Sequence, residues 1–379
     1  MPIFDQGYQH WSGTLSGHTW RWLAITRHGV RLGMKNTFIR FILLLAWVPA
    51  AALAGLLCVW GMVEQKSGLV TPLLEFLSSL FGSAVLTDPK SIRVEVWTLS
   101  YEFFLLTELR FSMLLILLVG PILISGDMRF NALPMYFSRP VRRIDYFLGK
   151  LGVIGAFLAM VLVIPSLLAY GLGLLFSLDF SIVRDTFSLL LTCVGYGAIV
   201  TLSAGLFILA LSSLSRNSRY IALLWLGVWF VTSIVGTVLE TVNREQRMAH
   251  RYQAAYAMQH SAQAKTPEEQ RRDFRAMQEA QQKAFDDIER QELEDAKTDW
   301  RPLFSYTGNM SRVGQAMLGS DAAWRKVAED MPQQFRARFL SEHLGPQYPW
   351  YWSAGLLALL MGISACILNF RVKSMDRLK

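Results

Sequence analysis

Six long apolar blocks alternate with charged segments along the chain. A helix needs about 20 mostly apolar residues to cross the hydrocarbon of a bilayer. Six stretches qualify: 41–63, 103–125, 151–176, 187–214, 220–239 and 350–370. The pattern predicts an all-α integral membrane protein with six transmembrane helices. It also predicts a cytoplasmic N-terminal interfacial helix and a large helical extracytoplasmic insertion between spans five and six. The corresponding segments are 1–40, 41–239 with a loop at 126–150, 240–349, 350–370 and a tail at 371–379.

The second block is the least clean, because Glu108 and Arg110 precede its uncharged part at 111–125. At about 1.5 Å per residue, Glu108 lies roughly 27 Å from Gly126, which places it near the far interface. The two charges are two positions apart, so they face different sides of a helix and do not pair. Two readings follow. The distance favours side chains that reach headgroups. The alternative is an intramembrane polar site at Glu108 and Arg110, the default reading of an ionisable group within a span. Asp and Glu are otherwise missing from the span centres, which disfavours a carrier driven by its own ion site.

Charge placement orients the spans. Arg21, Arg27, Arg31, Lys35 and Arg40 precede span one, and Arg129, Arg139, Arg142, Arg143 and Lys150 follow span two. Arg216 and Arg219 follow span four, and Arg371, Lys373, Arg377 and Lys379 close the chain. Six spans put all of these on one side, leaving only Lys66, Lys90, Arg93 and Arg184 in the short loops opposite. By the positive-inside rule both termini are cytoplasmic. The net charge of +8 is thereby explained as topology, not as a nucleic-acid surface. Trp60, Trp97, Tyr101, Trp350, Tyr351 and Trp352 fall where an outer aromatic belt is expected.

Outside the spans, 19–38 reads as a basic helix with Trp20, Leu23, Ile25, Val30, Leu32 and Met34 among its cations. It suits either the headgroup zone or packing on protein. The loop 126–150 is too apolar for a solvated linker, since Met128, Phe130, Leu133, Met135, Tyr136 and Phe137 need something to pack on. It is either a docking surface or a set of flanks that only fixes topology. Over 241–349, basic and acidic residues balance, sixteen of each. Thr266-Pro267-Glu268-Glu269 marks a helix start. Phe274, Met277, Gln281, Ala284, Ile288 and Gln291 form a coiled-coil seam spaced 3-4-3-4. An earlier helix at 240–260 is placed to fold back on that seam. The stretch 300–320 reads as irregular and 322–342 as helical.

Composition removes several chemistries. The chain is 53% hydrophobic and 17% charged, against about 25% charged in a soluble domain. No basic leader with a short apolar core opens it. It has no phosphate-binding Gly-x-x-x-x-Gly-Lys-Ser/Thr loop, no His-Glu-x-x-His and no Gly-x-Ser-x-Gly. The six histidines lack ligand spacing, and Cys58, Cys193 and Cys366 all sit in apolar blocks, so neither zinc nor a disulfide framework is expected. No catalytic, cofactor-binding or metal residues are expected.

The stretch 122–152 carries a family resemblance. It reads Ile-Leu-Ile-Ser-Gly-Asp127, then a basic segment, then Ser138-Arg139-Pro140-Val141-Arg142-Arg143, then Tyr146-Phe147-Leu148-Gly149-Lys150-Leu151. This resembles the permease subunits of ABC-2 type transporters, the mostly bacterial export branch of the ATP-binding cassette systems. Their loop typically has an acid after span two, a Ser-x-Pro-x-x-Arg run and Tyr-x-x-Gly-Lys opening span three. Asp127 stands where Glu is more usual, and the outer segment is longer than the short re-entrant helices common in the family. The resemblance implies a non-enzymatic export permease of the bacterial inner membrane. Its coupling loop (Asp127, Arg129, Phe130, Arg139, Pro140, Arg142, Arg143, Lys150) would seat in a separate ABC ATPase subunit that carries ATP and Mg. Two permease chains, as a homo- or heterodimer among membrane lipids, would surround one path. The other class of reading is a membrane-anchored scaffold or sensor with an extracytoplasmic partner at 240–349.

Overall fold

The computed structural model describes residues 20–72, 89–133, 136, 142–177, 181–263, 294, 297–329, 331 and 348–375. All regular structure among them is helical. Six helices are long and apolar enough to cross a membrane: Thr37–Glu64, Pro89–Arg129, Arg143–Ser177, Ser181–Ser212, Ser218–Asn243 and Trp350–Arg371. Each contains or closely overlaps one expected block, because a run of 20 apolar residues is satisfied only by a helix that closes its own backbone hydrogen bonds.

A short helix, α1 (Arg21–Gly33), leads into α2 (Thr37–Glu64), the first span. The second span is α3 (Arg93–Arg129). The third begins as α4 (Arg143–Leu158), passes through a π-helical turn at Ala159–Val163 and continues as α5 (Ile164–Ser177). Spans four and five are α6 (Ser181–Ser212) and α7 (Ser218–Gln263). Two shorter helices, α8 (Tyr306–Leu318) and α9 (Ser320–Glu329), precede the last span, α10 (Trp350–Met375).

α3 is the centre of the bundle. Of its most apolar stretch 61% is buried, against 17% in α7 and 22% in α10. Those two helices therefore present most of their apolar surface outward. Glycines let the central helices approach closely. A Cβ at Gly120 would meet Ile208 at 2.4 Å, and one at Gly173 would meet Trp97 at 2.8 Å.

Polar groups lock the two ends. At one end Arg93 donates from Nε and Nη2 to Glu64 at 2.8 and 2.7 Å. Ser181 accepts from Arg93 Nη1, and Ser177 donates to Glu64. Four spans thus meet at one buried ion pair, and Arg93 is not the free loop cation that charge counting assumes. At the other end Ser212 of α6 bridges to the α3 backbone just past Pro121. The Ser212 hydroxyl accepts from the Ile124 and Ser125 amides and donates to the Pro121 carbonyl.

Two expectations change. Trp97 and Tyr101 do not belong to an aromatic belt: both are buried in the bundle, Trp97 edge-on to Tyr170 and Tyr101 donating to the Ser166 carbonyl. The stretch 300–320 is not irregular, and its described part is not a domain standing apart. Past the 3₁₀ turn Arg301–Phe304, α8 runs inside the bundle. Its first residue, Tyr306, lies against Ser203, Phe207 and Trp225, while Met317 near its far end lies against Thr192 and Gly195. The chain therefore descends beside α7, turns at Ser305 and returns between α6 and α10. Asn309, fully buried, pins the turn by donating to Leu303 and Ser305 carbonyls and accepting from Ser353. The first helix expected at 240–260 exists as a continuation of α7. The seam from Phe274 to Gln291 and residues 332–342 lie outside the described residues.

Candidate functional site

The sequence singles out two places, and the structure treats them differently. The first is the connection between α3 and α4. Asp127 sits in the last turn of α3, and Tyr146 and Lys150 lie one turn apart on α4. The Asp127 carboxylate receives Lys150 Nζ at 2.7 Å and the Tyr146 hydroxyl at 2.7 Å. Lys150 also lies over the rings of Tyr136 and Tyr146, 5.8 and 5.4 Å from their centroids. The pair is mostly shielded, with side-chain exposures of 10% for Lys150 and 17% for Asp127. Burial first, and then the charge of Asp127, push the Tyr136 hydroxyl above its ordinary range, so it stays neutral.

Local geometry explains why the chain turns here. Asn131 adopts a left-handed conformation with φ 51°, which asparagine tolerates well. The Ala132 amide closes the turn on the Asp127 carbonyl at 2.8 Å. The Asp145 carboxylate accepts from the Arg142 amide and starts α4. Met128 and Leu133, apolar residues that need a partner, find it within the chain, since both are buried.

The clamp leaves a second group of side chains facing outward. Arg129, Phe130, Arg142, Arg143 and Ile144 are exposed, with the Arg129 guanidinium 5.7 Å from the centre of the Phe130 ring. Arg139 and Pro140 lie outside the described residues. The six described residues of this group thus divide: Asp127 and Lys150 join the helices, and Arg129, Phe130, Arg142 and Arg143 form a basic, partly apolar surface.

A third contributor escapes the sequence reading. α1 lies parallel to α4 along its glycine face. A Cβ at Gly149 would sit 2.6 Å from Ile25 Cβ and 3.0 Å from the Trp22 carbonyl. Thr26 donates to the Gly149 carbonyl at 3.0 Å, and Gly29 and Gly33 face Val153 and Phe157. Gly149 is therefore small because α1 touches it there. Trp20, Leu23 and Leu32 remain exposed on α1, so it packs on protein and still offers apolar side chains to its surroundings. The signal was readable only as matched small residues, Gly29 and Gly33 against Gly149 and Gly152.

The second place is Glu108. Its side chain does not reach out of the bundle. α3 continues for 15 residues beyond it to Arg93, and its side chain is fully buried. Neither carboxylate oxygen has a hydrogen-bond partner among the described residues, and neither has the Ser112 hydroxyl one turn on. Arg110 is exposed and shares no site with it. Glu102, nearer the end of α3, is fully engaged: Gln315 and Trp324 donate to its two oxygens at 2.8 and 2.9 Å.

These features define a class: an all-helical chain with six helices apolar and long enough to span a membrane, a helix folded back among them, and a clamped basic turn at one end. Comparison with protein-family models gives no match. Comparison with curated proteins gives none either.

Proposed function

We propose that this chain is the membrane-spanning permease subunit of an ATP-binding cassette exporter, driven by a separate ATPase subunit and working with a second permease chain. One observation carries the reading. Asp127, Tyr146 and Lys150 fasten together the ends of α3 and α4 that flank the turn between them. Its exposed residues Arg129, Phe130, Arg142 and Arg143 are chemically suited to an acidic cleft with an apolar floor. α3 is also the most buried span, so a push on this turn reaches the centre of the bundle. α1, packed on α4 through Gly149, moves with the same unit.

In this reading the basic end of the bundle faces the cytoplasm of a bacterial cell, where ATP and Mg are bound and hydrolysed on the partner. ATP-driven closure of two ATPase subunits shifts the paired permeases between inward- and outward-open states. Spans five and six, with so little of their surface buried in one chain, supply apolar faces for the second permease and for lipid. The folded-back helix α8 and the π-helical turn place irregular backbone inside the bundle, a feature tolerated where protein surrounds it.

The test is copurification. Tagged full-length protein extracted gently from its native membrane is expected to bring an ATPase with it. A variant carrying Arg142→Glu and Arg143→Glu is expected to lose that ATPase while keeping its elution profile and helicity. Absence of any ATPase, even after crosslinking in intact cells, removes the proposal. A second reading then gains weight from the length of α7, which continues as one helix to Gln263, about 24 residues past the apolar stretch. That rod suits a membrane-anchored scaffold or sensor.

A further inference from the structure

Glu108 stands out from the other polar groups in the bundle. Ser125, Ser203, Ser212, Ser353, Asn309 and Glu102 all find partners. Among the described residues Glu108 Oε1 and Oε2 and Ser112 Oγ do not, and both residues are 0% exposed. We propose that Glu108 is a proton-binding site, a neutral carboxylic acid in this closed arrangement that ionises only when the surrounding helices separate.

The argument starts from position. α3 and α6 run side by side in the same direction, with Gly120 against Ile208 and Ser125 against Ser212. Twelve residues back along both helices, Glu108 and Tyr196 share a level. The π-helical turn reaches that level too, since Val163 lies 2.8 Å from where a Gly197 Cβ would be. So does α8, whose Gly314 abuts the Tyr196 ring. Four elements thus meet at the level of the buried Glu108, and one of them carries a widened turn of the kind often found at functional positions.

Charge comes next. No cation stands opposite Glu108 among the described residues. On α2, Arg40 and Glu64 lie at the two ends. On α4, Asp145, Tyr146 and Lys150 belong to the level of Asp127, and on α5 Tyr170 belongs to that of Trp97. α6 contributes Tyr196 and Cys193 at the right level, both neutral, with Arg184 and Asp185 at its far end. On α7, Arg219, Tyr220 and Glu240 flank the apolar stretch. On α8, Tyr306 meets Ser203 and Arg312 is paired with Asp321. On α9, Lys326 is paired with Glu95. On α3 itself, Arg110 points outward and Glu102 is engaged by Gln315 and Trp324. A buried carboxylate without partner or countercharge is far costlier than the neutral acid. The acid therefore keeps its proton here. On opening, the carboxyl O–H bond breaks, the electron pair stays on the carboxylate, and the proton passes to entering water. The charge of Glu108 is thus tied to the arrangement of α3, α6, α8 and the π-helical turn. This inference is independent of the transporter reading.

Infrared spectroscopy of the full chain in lipid nanodiscs, with and without ¹³C-labelled glutamate, tests it. The expected result is a neutral-acid carbonyl band at neutral pH that shifts with the label, persists to alkaline pH and disappears in Glu108→Gln. A folded wild-type protein without a label-sensitive neutral-acid band at neutral pH overturns the proposal. So does a band unchanged in Glu108→Gln. If that variant fails to fold, Glu108→Asp replaces it: loss of the glutamate-label-sensitive band supports the proposal and its retention overturns it.

Discussion

At the scale of single residues, polar side chains decide how these helices lock, because apolar surface alone does not favour one helix neighbour over lipid. Ser212 illustrates this: one hydroxyl serves the Ile124 and Ser125 amides and the Pro121 carbonyl. Ser212→Ala removes this bridge between α3 and α6 and is expected to cost about 0.5–1.5 kcal/mol, read as a lower midpoint of thermal unfolding in detergent. The Arg93–Glu64 pair is also shielded, at 3% and 2% side-chain exposure. Arg93→Ala strands a buried carboxylate and is expected to cost about 3–5 kcal/mol. The double variant Arg93→Met, Glu64→Leu recovers most of that loss, whereas two independent structural roles would give additive losses. Neither partnership was legible in the sequence. Arg93 counted as a loop cation and Glu64 as a span boundary, because pairing across 29 residues depends on how α2 and α3 pack.

At the scale of elements, the sequence shows which helices exist better than it shows where they sit. All six spans were legible, since a hydropathy run of span length has one stable solution in lipid. α8 was not. Thr307, Asn309, Ser311, Arg312 and Gln315 make it too polar to read as a membrane helix, and its neighbours supply the partners that make burial tolerable. At the candidate site the motif residues were legible and their division of labour was not. Nothing in spacing distinguishes the clamped Asp127 and Lys150 from the exposed Arg142 and Arg143. The contact of α1 with α4 yields a direct expectation. In Gly149→Val the new side chain collides with Ile25 and with the Trp22 backbone, neither of which is the free end of a flexible chain. α1 is expected to detach while the spans persist. Limited trypsin digestion then cleaves at Arg27 and Arg31 at least several-fold faster than in wild type, with far-UV helicity nearly unchanged. Equal cleavage rates would mean that α1 is held elsewhere.

At the scale of the whole molecule, the decisive property is which end faces the cytosol, because the proposed ATPase partner would work only there. The structure gathers Arg129, Arg142, Arg143, Lys150, Arg216 and Arg219 at one end and the Arg93–Glu64 pair at the other. The asymmetry predicts the basic end inside. Cys58, Cys193 and Cys366 are free thiols, so a background with Cys58→Ser, Cys193→Ala and Cys366→Ser gives a clean reporter. In intact cells a membrane-impermeant maleimide is expected to label Arg184→Cys readily. Arg129→Cys and Arg216→Cys are expected to react only after permeabilisation. Agreement at all three sites is itself informative, since it requires an odd number of crossings between Arg129 and Arg184 and again between Arg184 and Arg216. The opposite pattern at all three would place the clamped turn outside the cell. The turn would then be unable to meet a cytosolic ATPase, and the exporter proposal would fall with the orientation, while the closed environment of Glu108 would be left as it is.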